Sequence, residues 1–282
     1  MPKRDIIVIG ASAGGVEALT ALVAGLPADL PATVLVVLHV PSSSRSALPA
    51  ILARVGKLPA THLTDDTPLR HGAIFVAPPD HHLTLRDDMI HLSRGPRING
   101  HRPAIDPLFH TAARSARSRL IGVILSGALD DGTGGMAAIQ AAGGATIVQD
   151  PKDALYASMP ASVLEAIAVD HVLPAVAIGT TLGELAGRDV PDTPYTEADM
   201  ASPDEDMETE SDRLAARARR QGMADLAERY QQRYTDARQR AELIREVLER
   251  GRIDSDDGPV SEEPASGTAD SENERANGAN KG

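Results

Sequence analysis

The chain has 282 residues, enough for one large or two small domains, and contains no Cys. Disulfides, thiolate catalysis and Cys-ligated metals are thereby excluded. The net charge of −12 is unevenly placed: residues 1–190 hold 17 acidic and 15 basic side chains, residues 191–282 hold 23 and 13. The front is near neutral and gives no electrostatic case for nucleic acid. No apolar run approaches a membrane span, and the start, Met1-Pro2-Lys3-Arg4-Asp5, leads straight into a strand with no room for a signal peptide. A cytoplasmic protein, not embedded in a membrane, is the expectation.

Along residues 1–190, strand and helix patterns alternate. Strands are expected at Ile6–Gly10, Thr33–Val40, Ala73–Ala77, Leu83–Leu85 paired with Met89–Leu92, Leu120–Ser126, Ala145–Gln149 and His171–Leu173. Helices are expected at Gly15–Leu26, Ser46–Val55, Pro107–Arg117, Gly134–Ala142, Met159–Ala168 and Ala175–Leu185. The runs near 6, 33, 120 and 145 are continuously apolar, as in strands buried on both faces. The predicted fold class is therefore α/β, a doubly wound and mostly parallel sheet with helices on both faces. Aromatics make up 2% of the residues, so the core must be built from Ala, Val, Leu and Ile.

Residues 191–210, "PDTPYTEADMASPDEDMETE", read as an acidic, Pro-containing linker. Residues 211–252 form an amphipathic helical segment, with Met223, Leu226, Tyr230, Tyr234, Ala237, Ala241, Ile244 and Leu248 at intervals of three or four. Such a C-terminal helical extension suits self-association or a partner helix. Residues 253–282 have the composition of a disordered acidic tail.

In doubly wound folds the active crevice lies at the carboxyl ends of the strands. The first strand ends in Gly10-Ala11-Ser12-Ala13-Gly14. That stretch fits G-x-S-x-G, a sharp strand-to-helix turn that presents a Ser hydroxyl. It also fits the dinucleotide template loosely, but Ser12 stands where the central Gly belongs. The acid expected at the end of the second strand is missing too, because that strand ends in His39-Val40-Pro41. A strand-end His usually just finds a hydrogen bond. Beside the Ser strand, however, His39 stands where a general base would. A later run ends in Gly127-Ala128-Leu129-Asp130-Asp131-Gly132, either a solvated turn or the source of a carboxylate that orients the base. Ser, His and Asp at three ends of one sheet make a nucleophile, base and orienter set that needs no cofactor. Their order, Ser…His…Asp, differs from that of the α/β-hydrolases.

Seven pieces of this sequence, in order over about residues 5–175, resemble the catalytic domain of the chemotaxis protein-glutamate methylesterases: "IGASAGG", "LHVP", "VAPPDHHL", "PAIDPLFHTAA", "ILSGALDDGTGGM", "ATIVQDPKDALYASMPASV" and "DHVLP". The resemblance implies hydrolysis of glutamyl methyl esters on methylated chemoreceptors, within a chemoreceptor methyltransferase pathway, and deamidation of receptor glutamines. It places the nucleophile on Ser12, the base on His39 and the acid on Asp131, the Asp directly before Gly132. Asp130 is expected to face solvent. Ala13 and Ala128 are the implied oxyanion positions. Ala128-Leu129 replaces the Met-Gly of the family turn, and Ala13 stands where Thr or Ser is frequent. The well-known members also carry a receiver domain ahead of the catalytic domain, whereas the tail here looks like the extension of some receiver-less relatives, so a stand-alone form is the expectation. The alternative is a weakly active or inactive relative serving as a binding module in a signalling complex.

Further readings follow. His81 and His82 point apart on a strand, which argues against a metal; His82 is the position that matches the family pattern, and the resemblance implies a structural or cleft-lining role for it. Asp106, Leu108 and Phe109 read as an N-cap and core contacts at a helix start. Arg97, Arg102 and Lys152 read as solvated surface charges. No metal is expected.

Overall fold

The computed structural model describes residues 1–41, 46–98 and 100–191, together with Glu228. The 191–210 linker, the 211–252 helical segment and the 253–282 tail lie outside the described residues, Pro191 and Glu228 apart.

Ten strands and six helices are formed by the described residues. In chain order they are β1 (Ile6–Ala11), α1 (Gly15–Ala24), β2 (Thr33–Leu38), α2 (Leu48–Val55), β3 (Ala60–His62), β4 (Thr67–Pro68), β5 (Ala73–Val76), β6 (His82–Arg86), β7 (Met89–Ser93), α3 (Ile105–Ala116), β8 (Leu120–Ile124), α4 (Thr133–Ala141), β9 (Ala145–Gln149), α5 (Ser158–Ala166), β10 (His171–Leu173) and α6 (Ala175–Leu185). Seven of the strands build one sheet in the order β10-β9-β8-β1-β2-β5-β3. All its pairings are parallel. β4, β7 and β6 make a small separate antiparallel sheet.

The unbroken apolar runs of β1, β2 and β8 are buried at every position, because each strand has helices above and below it. Alternate side chains of β1 serve two cores. Ile6 and Val8 pack with Phe109 of α3, Met136 of α4 and Val163 of α5. Ile7 and Ile9 pack with Leu22 of α1, Leu52 of α2 and Ile178 of α6. With β1 in the middle, the chain first winds outward through β2 and β5, then crosses back to β8 on its other side. This reversal opens the crevice of the switch point beside β1.

Two short strands, β3 and β4, were not expected from sequence. "ATH" and "TP" carry no apolar run, and each sits at the edge of its sheet. α3 begins at Ile105, two residues before the expected Pro107, because the amides of Ile105 and Asp106 find an acceptor there. The β6–β7 hairpin turns on Asp87 and Asp88, with φ of 50° and 58°, as a tight two-residue hairpin requires.

Candidate functional site

The parallel register sets the first two side chains side by side. Beyond the end of β1 the ladder continues for one step on each flank. His39 N–H donates to the Ala11 carbonyl at 3.1 Å, and Ser12 N–H donates to the Ser126 carbonyl at 3.0 Å. Ser12 therefore emerges between the ends of β2 and β8. The chain then turns through Gly14, at φ 69°, into α1. A Cβ on Gly14 would lie 2.7 Å from Ser126 Oγ, so the left-handed turn and the crowding both require glycine there. Ser126 staples the turn, donating its hydroxyl to the Ala13 carbonyl at 2.8 Å and accepting Tyr156 N–H at 2.9 Å.

His39 bridges the two remaining members of the predicted set. Its Nδ1 lies 3.1 Å from Ser12 Oγ, and its Nε2 lies 2.7 Å from Asp131 Oδ2. A carboxylate can only accept, so Nε2 carries the proton and Nδ1 is left to accept from the serine hydroxyl. The ring thus presents its two nitrogens in the opposite sense to the serine-protease template. The side chains of His39 and Asp131 are 5% and 3% exposed, which keeps water from competing for their hydrogen bond.

Asp131 is held by the start of α3. Its Oδ2 accepts Ile105 N–H at 2.7 Å, and its Oδ1 faces Asp106 N–H at 3.4 Å. First-turn amides have no partner within their own helix, and the positive end of the dipole favours a carboxylate there. Asp106 does not cap α3 as expected. The N-cap is Ala104, and Asp106 reaches across to accept Gly135 N–H of α4 at 2.9 Å. Asp130 is also not solvated: it is 8% exposed against 2% for Asp131. The turn folds both aspartates inward before Gly132, at φ 90°, starts α4.

The segment between β7 and α3 closes the site from the other side. His101 stacks on His39 with ring centroids 3.8 Å apart and planes 6° from parallel. Burial, with the neighbouring His39 as a further cause, pushes the His101 pKa down and favours a neutral ring. Arg102 is no free surface charge. It binds Asp80 at 2.6 Å and donates to the Gly95 carbonyl at 2.8 Å, clamping the segment to the residues before β6. The same pairing holds the Asp80 carboxyl below its ordinary pKa. His81 and His82 do point apart, His81 toward Pro79 and Arg94, His82 toward Pro96 and Ala104. Sequence reasoning passed over His101 and the Ile105 and Asp106 amides. The stretch 94–104 has no apolar period, and its contacts are made across space.

Ala13 and Ala128 lie on the two loops beside Ser12. The Ser12 carbonyl points into the turn, where it accepts Gly15 N–H at 2.9 Å. In a trans peptide N–H and C=O oppose each other, so Ala13 N–H points out of the turn. Likewise the Gly127 carbonyl accepts Met159 N–H at 3.0 Å, which directs Ala128 N–H away from α5. Leu129 follows at φ 65°, 59% exposed, with its N–H on Ser158 Oγ at 3.1 Å. A left-handed leucine is unusual and stores strain beside the site.

A parallel α/β sheet with Ser, His and Asp hydrogen-bonded in line at its carboxyl edge has the layout of serine-nucleophile hydrolases. The CheB methylesterase family model matches residues 7–182, and the chain belongs to that family. It is 39% identical over 183 residues to a protein-glutamate methylesterase/protein-glutamine glutaminase 2 of Anaeromyxobacter dehalogenans, covering 65% of this chain and 54% of that one. A putative protein of the same description from Leptospira interrogans is 38% identical over 167 residues, 59% of this chain and 86% of the other. Among solved structures, the CheB methylesterase catalytic domain of Thermotoga maritima matches with a TM-score of 0.62 at 34% identity, over 64% of this chain and 98% of that one. The chain spans about half the length of the first of these curated relatives. Among the described residues no helix is long and apolar enough to cross a membrane.

Proposed function

We propose that this protein removes methyl esters from glutamyl side chains of methylated chemoreceptors, and deamidates receptor glutamines by the same route. The observation that carries the reading is the hydrogen-bonded line from Ser12 Oγ through His39 to Asp131. Ser12 Oγ attacks the ester carbonyl while its proton passes to His39 Nδ1. Asp131 holds the ring in the Nε2–H tautomer and supports the imidazolium that forms. The amides of Ala13 and Ala128 donate to the oxyanion of the tetrahedral intermediate. His39 then protonates the departing methoxide, and methanol leaves. Water enters, gives its proton to Nδ1, attacks the acyl-serine, and the glutamate carboxylate is released with Ser12 restored. Deamidation differs in its leaving group, ammonia. The chemistry runs on side chains and backbone amides and uses no cofactor or metal. The names of the relatives support both activities. In the cell the reading sets the protein on the cytoplasmic face of the receptors, undoing the work of a receptor methyltransferase.

The test is methanol release from methylated receptor membranes. The wild-type chain should release methanol, and Ser12→Ala should fold normally yet lose on the order of 10⁶ in rate. Retention of most activity by that variant would remove the serine mechanism. No release by the wild type would remove the esterase reading and favour the binding module.

A further inference from the structure

We propose that His82 is a positioning residue for the His39–Asp131 pair, acting through the first turn of α3; as a role in catalysis, it rests on the function proposed above. His82 opens β6 and is 3% exposed. Its Nε2 lies 3.0 Å from the Pro96 carbonyl, and its Nδ1 lies 3.1 Å from the Ala104 amide. Both partners are backbone groups whose roles cannot change: a carbonyl accepts and an N–H donates. The ring is therefore fixed as the neutral Nε2–H tautomer, with Nδ1 as the acceptor. Burial, the largest influence on its pKa, disfavours the imidazolium and so favours this same form.

Three consecutive amides stand at the start of α3, and two side chains divide them. Ala104 N–H goes to His82, while Ile105 and Asp106 N–H face Asp131. Ala104 is the N-cap and has no side-chain cap of its own. His82 thus supplies from the hairpin the acceptor that the Glu or Gln of a capping box supplies to the N-cap amide elsewhere. The consequence reaches the site because Asp131 Oδ2 is shared: it accepts from Ile105 N–H and from His39 Nε2, both at 2.7 Å. A shift of the first turn of α3 moves the oxygen that aims the imidazole. Without His82, Ala104 N–H is buried without that acceptor, and the turn carrying Ile105 is free to fray.

Two substitutions separate the arms of the imidazole. Asn places an acceptor near the Nδ1 position, so His82→Asn keeps the Ala104 arm and gives up Pro96. Gln places a donor near the Nε2 position, so His82→Gln keeps Pro96 and gives up Ala104. Steady-state methylesterase kinetics should show His82→Gln losing kcat by about 10–100-fold, the usual effect of removing a supporting partner. KM should stay within about twofold, since His82 touches no substrate. His82→Asn should restore kcat to near the wild-type value. Proton NMR provides a readout independent of turnover: the low-field His39 Nε2–H signal should persist in His82→Asn and shift or vanish in His82→Gln. In the wild type, ring ¹⁵N shifts should report the Nε2–H tautomer of His82, a measurement that stands even if a variant fails to fold. Equal loss of kcat in both variants, an unchanged low-field proton in His82→Gln, or the Nδ1–H tautomer in the wild type would each overturn the proposal. If the wild type lacks esterase activity but the proton behaves as expected, the positioning holds and the assigned reaction falls.

Discussion

Asp130 and Asp131 share a turn and a chemical nature, and both are buried, so neither composition nor exposure tells them apart. Hydrogen bonding does. Asp131 Oδ2 meets His39 Nε2 and the amide of Ile105. Asp131→Asn keeps the shape but offers an amide where a carboxylate must fix the tautomer. Its esterase rate should fall by roughly 10⁴-fold. Asp130→Asn should cost far less rate, and because Asp130 is buried its effect should show mainly in the unfolding midpoint. The check is to measure rate and thermal midpoint of both variants under one set of conditions. A crippled Asp130→Asn with an active Asp131→Asn would reverse the assignment. Leu129, two residues earlier, has a left-handed backbone. The bond from its amide to Ser158, and that from Ser162 to its carbonyl, hold it there.

At the scale of elements, the start of α3 organises the site. It packs so closely on β1 that a Cβ on Gly10 would lie 2.6 Å from Ile105 Cγ2. The β6–β7 hairpin, an excursion from the main sheet, delivers the segment that stacks His101 on His39 and seats Ala104 on His82. Both of these histidines have pKa values pushed down chiefly by burial. An unfolded His binds its proton below about pH 6.5, whereas these two, folded, bind it only at lower pH. Below that value the unfolded state therefore holds more protons, and stability rises with pH. Their contribution should be complete above about pH 6.5 and be lost progressively as the pH falls. Urea midpoints from pH 7.5 down to 5.5 should decline for the wild type and decline less for His82→Asn, which cannot titrate at that position. An unchanged slope in the variant would show that His82 is not one of the groups responsible.

For the molecule as a whole, the described unit closes on itself near residue 191. Gly187 N–H binds the Arg4 carbonyl at 2.7 Å, Arg4 N–H binds Arg188, and Val190 N–H binds Pro2. Ser118 Oγ donates to the Pro191 carbonyl at 2.7 Å, one residue beyond the boundary expected at 190. A chain ending at residue 195 should fold and keep its esterase activity, consistent with the acidic charge lying largely beyond that point. A chain ending at residue 185 would forfeit these bonds and the buried Val190. At about 1 kcal/mol per bond that is several kcal/mol, or on the order of 10 °C in Tm for a domain this size. Thermal melts of the two truncations decide the matter. Failure of the longer one to fold would show that residues beyond 195 belong to the domain.

The periods and end residues of the sequence determined the strands that matter, the parallel α/β class and the positions of Ser12 and His39. A short, β-branched, continuously apolar run bounded by Gly or Pro fits a doubly covered strand, and chemistry collects at its carboxyl end. The resemblance pointed to Asp131 ahead of Asp130. What the sequence could not hold is contact between segments far apart in the chain. Asp106 reads as a cap for its own helix, yet its carboxylate serves α4, because α3 starts ahead of it at Ile105, where the first amides face Asp131. Arg102 reads as surface charge, yet it clamps a loop, because Asp80 lies beside it in space. His82 reads as structural or cleft-lining with no partner named, and His101 draws no reading at all, since no local pattern announces a stacked ring or an acceptor for another segment's amide. Those partnerships arise when the hairpin docks on α3. Only the tertiary structure decided them, because a hydrogen bond depends on distance in space and the sequence records distance along the chain.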